Sequence, residues 1–356
     1  MNLDFYSRIA AFTELGNMIR NRTQCPFSME ISDAIEKQSI ENHWFTPSFI
    51  NYSLDAIATM LEGDKLRELE SYYSAIPDIE LNQNKMIAVI AAGNIPVAAF
   101  HDFFSVLVSG NRFMGKLSSH DPILLPLIAK ILTDIEPAFK DSFCFVDKIA
   151  SFDKVIANGS NNSNRYFEYY FKKQPNILRK HKNSLAILSG NETDEELVGL
   201  FKDIFLYFGL GCRSVSKLFV PQNYDFSNLL RIFTENSGEI STHNHYLNNL
   251  EYQRAIHLIN GYSFLDLGIV LLEEKEEVAS PIGILNFQYY NSLDNVVLYL
   301  NQNKDKIQCT VSGSIDFPDA VPFGKAQNPQ IMEFADGIDT IRWCATPDTL
   351  NAINQQ

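Results

Sequence analysis

Cys212 stands in Phe208-Gly209-Leu210-Gly211-Cys212-Arg213-Ser214, after an apolar segment of helical spacing and before a run of strand-forming residues. Two glycines ahead of a cysteine let the backbone approach a substrate closely and leave the thiol on a loop. A thiolate so placed is a nucleophile for an activated carbonyl, and Arg213 lowers the thiol pKa if its charge points inward. Cys25, Cys144, Cys309 and Cys344 have no such setting and read as small buried hydrophobes. Five scattered cysteines without a C-x-x-C pair provide neither a disulfide framework nor a zinc site. His243 and His245 lack the further ligands that a metal needs.

Two other segments offer polar groups at strand ends. Ala91-Ala92-Gly93-Asn94-Ile95-Pro96 follows the first strand-like run, and open α/β sheets bind ligands at strand carboxyl ends. Asn94 there is either an amide donor to a developing oxyanion or an N-cap residue before Pro96. Gly110 to Pro122 places Lys116 at a strand end, followed by Ser118 and Ser119. That set suits ribose and phosphate oxygens, or is simply a solvated strand end. Gly209-Leu210-Gly211 is no dinucleotide fingerprint, because it follows a helix and lacks the third glycine; no Walker A sequence occurs either.

The elements that must position these groups follow from hydrophobic periodicity. Strands are expected over 86–90, 112–117, 142–146, 154–157, 184–188, 215–221, 269–272 and 282–287. Helices are expected over 96–109, 123–132, from the Gly159-Ser160 segment to about 171, then 194–208, around 226–235, and 293–301. The alternation implies a mostly parallel sheet covered on both faces, an α/β fold of nucleotide-binding style with a second α/β lobe. Tyr166, Phe167, Tyr169 and Tyr170 are expected as the core face of their helix. The stretch after 235 reads as a polar region rich in Asn and His. Residues 1–83 read as helical, a cap or oligomer arm, with Tyr6, Ile9, Phe12, Ile57, Leu61, Leu66 and Leu69 near helical spacing. The expected division is a helical region over 1–83, a dinucleotide-binding domain over 84–208, a catalytic domain over 209–345 and a tail over 346–356.

The chain has 356 residues, 46% of them apolar, with 29 Lys and Arg against 43 Asp and Glu, a net charge of −14. That balance argues against a nucleic-acid surface, which needs a basic stripe. No apolar run approaches the roughly 18 residues of a membrane span. The start, Met1-Asn2-Leu3-Asp4, lacks the basic head and apolar stretch of a signal peptide, so a cytoplasmic protein is expected.

In order and spacing, Asn94, Gly110-Asn111 to Lys116 and Ser118, Gly159-Ser160, and Gly209 to Cys212 resemble the aldehyde dehydrogenase superfamily over about 85 to 345. Trp44-Phe45-Thr46-Pro47, Ala92 to Pro96, Lys116 to Pro122 and Gly211 to Ser216 are most similar to its LuxC-type acyl-CoA reductases. The resemblance implies that Cys212 attacks an acyl-CoA thioester and expels CoA, leaving an acyl-enzyme. It implies that the Asn94 amide and the Cys212 N–H hold the oxyanion, donors worth about 3–4 kcal/mol each. Reduction of the acyl-enzyme then releases an aldehyde. Lys116 would bind the adenine-side ribose, with Ser118 and Ser119 beside it, and Gly159-Ser160 would lie near the cofactor diphosphate at a helix start.

Two departures from the family pattern bear on chemistry. Leu178 stands where hydrolytic members carry a glutamate base, which favours reduction over acid formation. Ser119 stands where a glutamate usually pairs with the ribose 2′-hydroxyl of NAD, which favours NADPH over NADH. No general acid is identified, although His181, His243 and His245 are available. The resemblance also implies a homo-oligomer, and such a reaction accommodates a partner protein that activates or transfers acyl groups. Competing readings are a cysteine acyltransferase or thioesterase without nicotinamide, a reductase of acyl phosphates, and a non-catalytic scaffold.

Overall fold

Short apolar runs alternating with amphipathic segments become two parallel-sheet units in the computed structural model, which describes residues 3–77, 79, 81–313, 317 and 319–346. One unit comprises Met1–His181 with Pro329–Gln356, the other Lys182–Asn328. The expected domain edge at 208/209 therefore moves to 181/182, because the strand and helix after His181 build the second unit's sheet and its cover. The expected tail lies outside the described residues apart from Thr346. Among the described residues no helix is long and apolar enough to cross a membrane.

The first unit begins with four helices, α1 (Phe5–Arg20), α2 (Ser28–Glu41), α3 (Pro47–Met60) and α4 (Gly63–Ser74). Asp4 caps α1, and Thr46 caps α3 with Pro47 at the first helical position, where a missing N–H costs nothing. Their apolar faces are not spare. Phe12, Leu15, Ile50, Leu61, Leu66 and Leu69 are buried in the core that also contains Ile87, Phe103 and Phe104. The Phe12 ring meets Phe104 edge-on at 4.9 Å. This segment is thus part of the unit's core and not a separate cap on it.

The chain then runs through β1 (Met86–Ile90), α5 (Phe100–Val108), β2 (Arg112–Lys116), α6 (Leu124–Ile135), β3 (Phe143–Phe145), β4 (Lys154–Asn158), α7 (Asn161–Phe171) and β5 (Asn176–Arg179). The sheet order is β3-β2-β1-β4-β5, all parallel. Central β1 is apolar along its length because both faces are covered, and Ile87, Ala88 and Val89 are fully buried. Edge strand β5, with polar residues at both ends, is too short and too mixed to stand out in the sequence.

The second unit is built from β6 (Asn183–Ile187), α8 (Asp194–Phe205), β7 (Val215–Pro221), α9 (Ser227–Asn236), α10 (Asn244–Asn260), β8 (Leu265–Asp266), β9 (Leu271–Glu274), β10 (Ile284–Tyr290), α11 (Leu293–Gln302) and β11 (Ile307–Ser312). Its order is β11-β6-β7-β10-β9-β8, parallel except for β8 against β9. The Asn- and His-rich region is helix α10. It buries only a narrow stripe including Tyr246, Leu250 and His257, which is why its composition reads as polar.

Helix α12 (Thr340–Ala345) returns to the first unit, so the last stretch of the expected catalytic domain belongs there. Its terminal carbonyls are held by buried donors. Lys154 Nζ donates to the carbonyls of Trp343 (2.7 Å) and Thr346 (2.6 Å), and Asn111 Nδ2 to that of Cys344 (3.1 Å). A cation at a helix C-terminus also complements the dipole, and Lys154 lies over the Trp343 ring at 4.9 Å. Lys154→Met strands the Thr346 carbonyl and leaves that of Trp343 only the Thr346 hydroxyl at 3.0 Å, and is expected to destabilise this unit by roughly 2 kcal/mol. Both tryptophans, Trp44 and Trp343, lie in the unit. Urea unfolding followed by their fluorescence should show a lowered midpoint, and an unchanged midpoint would refute the anchoring role.

Candidate active site

In the second unit, the approach to Cys212 is set by backbone strain. Helix α8 ends at Phe205 instead of continuing to Phe208, because Tyr207 (φ 56°), Phe208 (φ 54°) and Gly209 (φ 76°) are all left-handed. For a non-glycine residue that conformation costs on the order of 1–2 kcal/mol. Burial and stacking offset it. Phe208 is buried, and its ring lies on His243 with centroids 4.0 Å apart and planes 25° apart. His243 Nδ1 accepts from the Tyr246 N–H at 3.2 Å and so caps α10, which leaves the ring proton on Nε2. His245 is exposed on the same helix, and His181 is exposed at the end of the first unit.

The half-buried Cys212 is then pinned through its backbone. Ser184 Oγ, on β6, donates to the Cys212 carbonyl at 3.1 Å and accepts from the Cys309 N–H at 3.2 Å. Arg213 Nε donates to the Ala326 carbonyl, so this guanidinium is committed to the 322–327 segment. Gln327 Nε2 donates to Ser214 Oγ at 3.1 Å. The 322–327 segment escaped the sequence reading. Its only local signals are the Pro322-Phe323-Gly324 turn and, far away, an acid, Asp203, on the inner face of α8. Of the other cysteines, Cys25 and Cys344 are buried as expected, whereas Cys144 and Cys309 are only half-buried.

In the first unit, the expected cofactor residues gather at the carboxyl ends of β1, β2 and β4. Lys116 ends β2 with an exposed side chain, and its carbonyl accepts from the Ala91 N–H at 3.0 Å. The loops after β1 and β2 touch at Gly93, where a Cβ would sit 2.1 Å from Ser118 Oγ, so only glycine fits. Ser118 is half-buried and Ser119 exposed. Ser160 caps α7, its Oγ accepting from the Ser163 N–H at 3.2 Å, and Asn164 Nδ2 donates to the carbonyls of Gly159 (2.9 Å) and Ser160 (3.2 Å). At the same sheet edge, Arg179 Nη1 reaches both oxygens of buried Asp102 at 2.7 Å, and Asn158 Nδ2 donates to the Ile90 carbonyl at 3.3 Å. These ties link the ends of β1, β4 and β5. Asn94, Lys116, Ser118, Ser119, Gly159 and Ser160 thus share one unit, and Cys212 belongs to the other.

Two readings of this region change. Tyr166, Tyr169 and Tyr170 are 59%, 69% and 67% exposed, so they are a solvated face of α7 and not its core. Asn94 is not an N-cap, because α5 starts only at Phe100. Between them the chain turns through buried Val97 at φ 56°, an outlier for a β-branched residue. The Val97 N–H donates to buried Asp121 Oδ2 at 2.6 Å, while Asp121 Oδ1 has no partner. Burial pushes the Asp121 carboxyl up to about 6 from its ordinary 3.8. A raised carboxyl favours the protonated fold, so wild-type stability falls as pH rises from about 4 through 6. Asp121→Asn keeps the acceptor and cannot ionise. It is expected to exceed the parent by roughly 2–3 kcal/mol at about pH 8 and to match it near pH 4. Chemical denaturation at both pH values checks this, and a pH-independent difference would refute it.

No protein-family model matches this chain, and no characterised protein matches it by sequence. Solved structures do match. P. syringae indole-3-acetaldehyde dehydrogenase, in complex with NAD+, superposes with TM-score 0.64 at 12% identity over 89% of this chain and 74% of that one. Aldehyde dehydrogenase 21 from Physcomitrella patens gives 0.64 at 13% over 89% and 75%. An NAD-dependent benzaldehyde dehydrogenase from Corynebacterium glutamicum gives 0.64 at 13% over 88% and 78%. The chain has the aldehyde dehydrogenase fold.

Proposed function

We propose that this protein reduces an acyl-CoA thioester, of a fatty acyl chain, to the aldehyde with NADPH, through an acyl-enzyme on Cys212. The observation that carries the reading is the Cys212 loop: a half-buried thiol on a strained segment pinned by Ser184, Arg213 and Gln327. Strain held in place by surrounding structure is characteristic of sites whose geometry matters. The fold and the four motifs in family order support the same assignment.

The residues of the first unit suit a nicotinamide dinucleotide. Exposed Lys116 and the serines beside it offer donors to ribose and phosphate, and the capped start of α7 offers N–H groups to the diphosphate. When bound, the reduced nicotinamide supplies a hydride. Cys212 adds through sulfur to the thioester carbonyl, the CoA thiolate leaves, and the acyl group rides on Sγ. The Asn94 amide and the Cys212 N–H are assigned to the oxyanion. After reduction, the C–S bond of the resulting thiohemiacetal breaks, releasing aldehyde and restoring the thiol. Leu178, half-buried on β5, has no group to activate water, which favours reduction of the acyl-enzyme over its hydrolysis. Ser119 carries no charge to repel a 2′-phosphate, which supports NADPH. Homo-oligomerisation, cytoplasmic residence and an acyl-delivering partner protein belong to the same reading.

The test mixes the full chain with palmitoyl-CoA and NADPH and follows nicotinamide absorbance and free thiol. NADPH oxidation matched by CoA release, abolished in Cys212→Ala, is expected. Thiol release without NADPH oxidation would indicate a transferase or thioesterase, and neither signal across acyl lengths would overturn the substrate assignment. Ser119→Glu is expected to lower kcat/KM with NADPH by about tenfold through charge repulsion while sparing NADH. Equal effects on the two cofactors would remove Ser119 from that role.

A further inference from the structure

The second unit holds a buried acid that the proposed chemistry does not use. Asp203 lies on the inner side of α8 beside Leu200 and Ile204 and is 1% exposed. Its Oδ2 accepts from the Gly324 N–H at 2.6 Å and its Oδ1 from the Ala326 N–H at 3.0 Å. The segment so held is pressed onto the helix, since a Cβ on Gly199 would fall 2.9 Å from the Phe323 carbonyl. From the same segment, the Ala326 carbonyl accepts from Arg213 Nε, and Gln327 Nε2 donates to Ser214 Oγ at 3.1 Å. Arg213 and Ser214 are the two residues after Cys212.

We propose that Asp203 is a positioning residue for the nucleophile loop, clamping 324–326 so that this segment in turn fixes the backbone following Cys212; the inference rests on the reading of Cys212 as nucleophile. The physical basis is the demand of buried N–H groups for acceptors. An apolar residue at 203 would suit the helix stripe better but would orphan two donors. Both carboxylate oxygens are in use, so the ionised form fits the clamp. The charged groups facing Asp203 are Arg213 and, from its own helix, Lys202, and burial outweighs them, pushing the carboxyl up to about 7. Below that pH one oxygen carries a proton and ceases to be a good acceptor, and the clamp loses a strand of its grip.

The test compares the full-length parent with Asp203→Asn, which retains one acceptor and turns an amide N–H₂ toward the other donor. A loosened loop exposes the thiol yet misaligns it, so two readouts should move in opposite directions. Alkylation of Cys212 by iodoacetamide, followed on its own peptide by mass spectrometry, is expected to rise at least threefold. The kcat for acyl-CoA reduction is expected to fall at least tenfold, with KM for NADPH within twofold. The parent's loss of kcat on acidification through about pH 7 should be absent from the variant. A folded Asp203→Asn protein with unchanged alkylation, kcat and pH profile overturns the proposal. Should that variant fail to fold, Gln327→Ala leaves Asp203 and its bonds intact but releases the Ser214 hydroxyl from the segment. Threefold faster alkylation there supports the clamp, and an unchanged rate overturns it. Because alkylation needs no substrate, a parent without reductase activity would sink the functional reading while the alkylation comparison still decides this one.

Discussion

Backbone N–H and C=O groups removed from water must find partners, and in this protein that requirement falls hardest on the loops at strand ends. Strands and helices satisfy themselves. The connections bearing Asn94, Gly159-Ser160 and Cys212 do not, and in each case a side chain completes them. Asp121 accepts from Val97, Asn164 donates to Gly159 and Ser160, and Ser184 donates to Cys212. Lys154 and Asn111 do the same for the end of α12. Replacing any of these by an apolar residue would leave an orphaned group, worth about 1–3 kcal/mol, in a place where the chain has no regular alternative.

Such partners are costly to keep. Asp121 and Asp203 are acids raised to about 6 and about 7 by burial, and Tyr207, Phe208 and Val97 hold conformations that bulky residues avoid. The bulky left-handed residues sit on the loops carrying Asn94 and Cys212, whereas those elsewhere, Asn84, Ser151, Asn223, Asp319 and Asp336, are short polar types for which that conformation costs less. A fold that spends stability at loops and recovers it in strands is the pattern expected where geometry at a site is under selection.

The N-terminal helices show how far a chain's local pattern underdetermines its role. Their spacing announces helices, yet their inner faces are shared with Phe103 and Phe104 of α5 and so belong to one core. The same holds at the other end, where α12 closes the first unit although it follows the second in sequence. The chain leaves the first unit at His181 and returns at Pro329, a crossing that no local signal marks.

Periodicity and composition were enough for the α/β class, for β1, β2, β3, β4, β6, β7 and β10, and for the loop position of Cys212, because buried parallel strands must be apolar runs and glycines must mark close or left-handed turns. The resemblance added the fold, which the superpositions share. Tertiary structure decided the rest. Helix α10 hid behind polar residues because it buries only a narrow stripe, and the α7 tyrosines looked like core because spacing alone cannot say which face is covered. The end of α8 depended on a left-handed turn stabilised by His243, thirty-odd residues away. The grip on Cys212 joins Asp203, Arg213 and Ala326, residues that meet only after the chain has folded. Local pattern reports what a segment buries, whereas a hydrogen bond between distant residues leaves no trace in either segment alone.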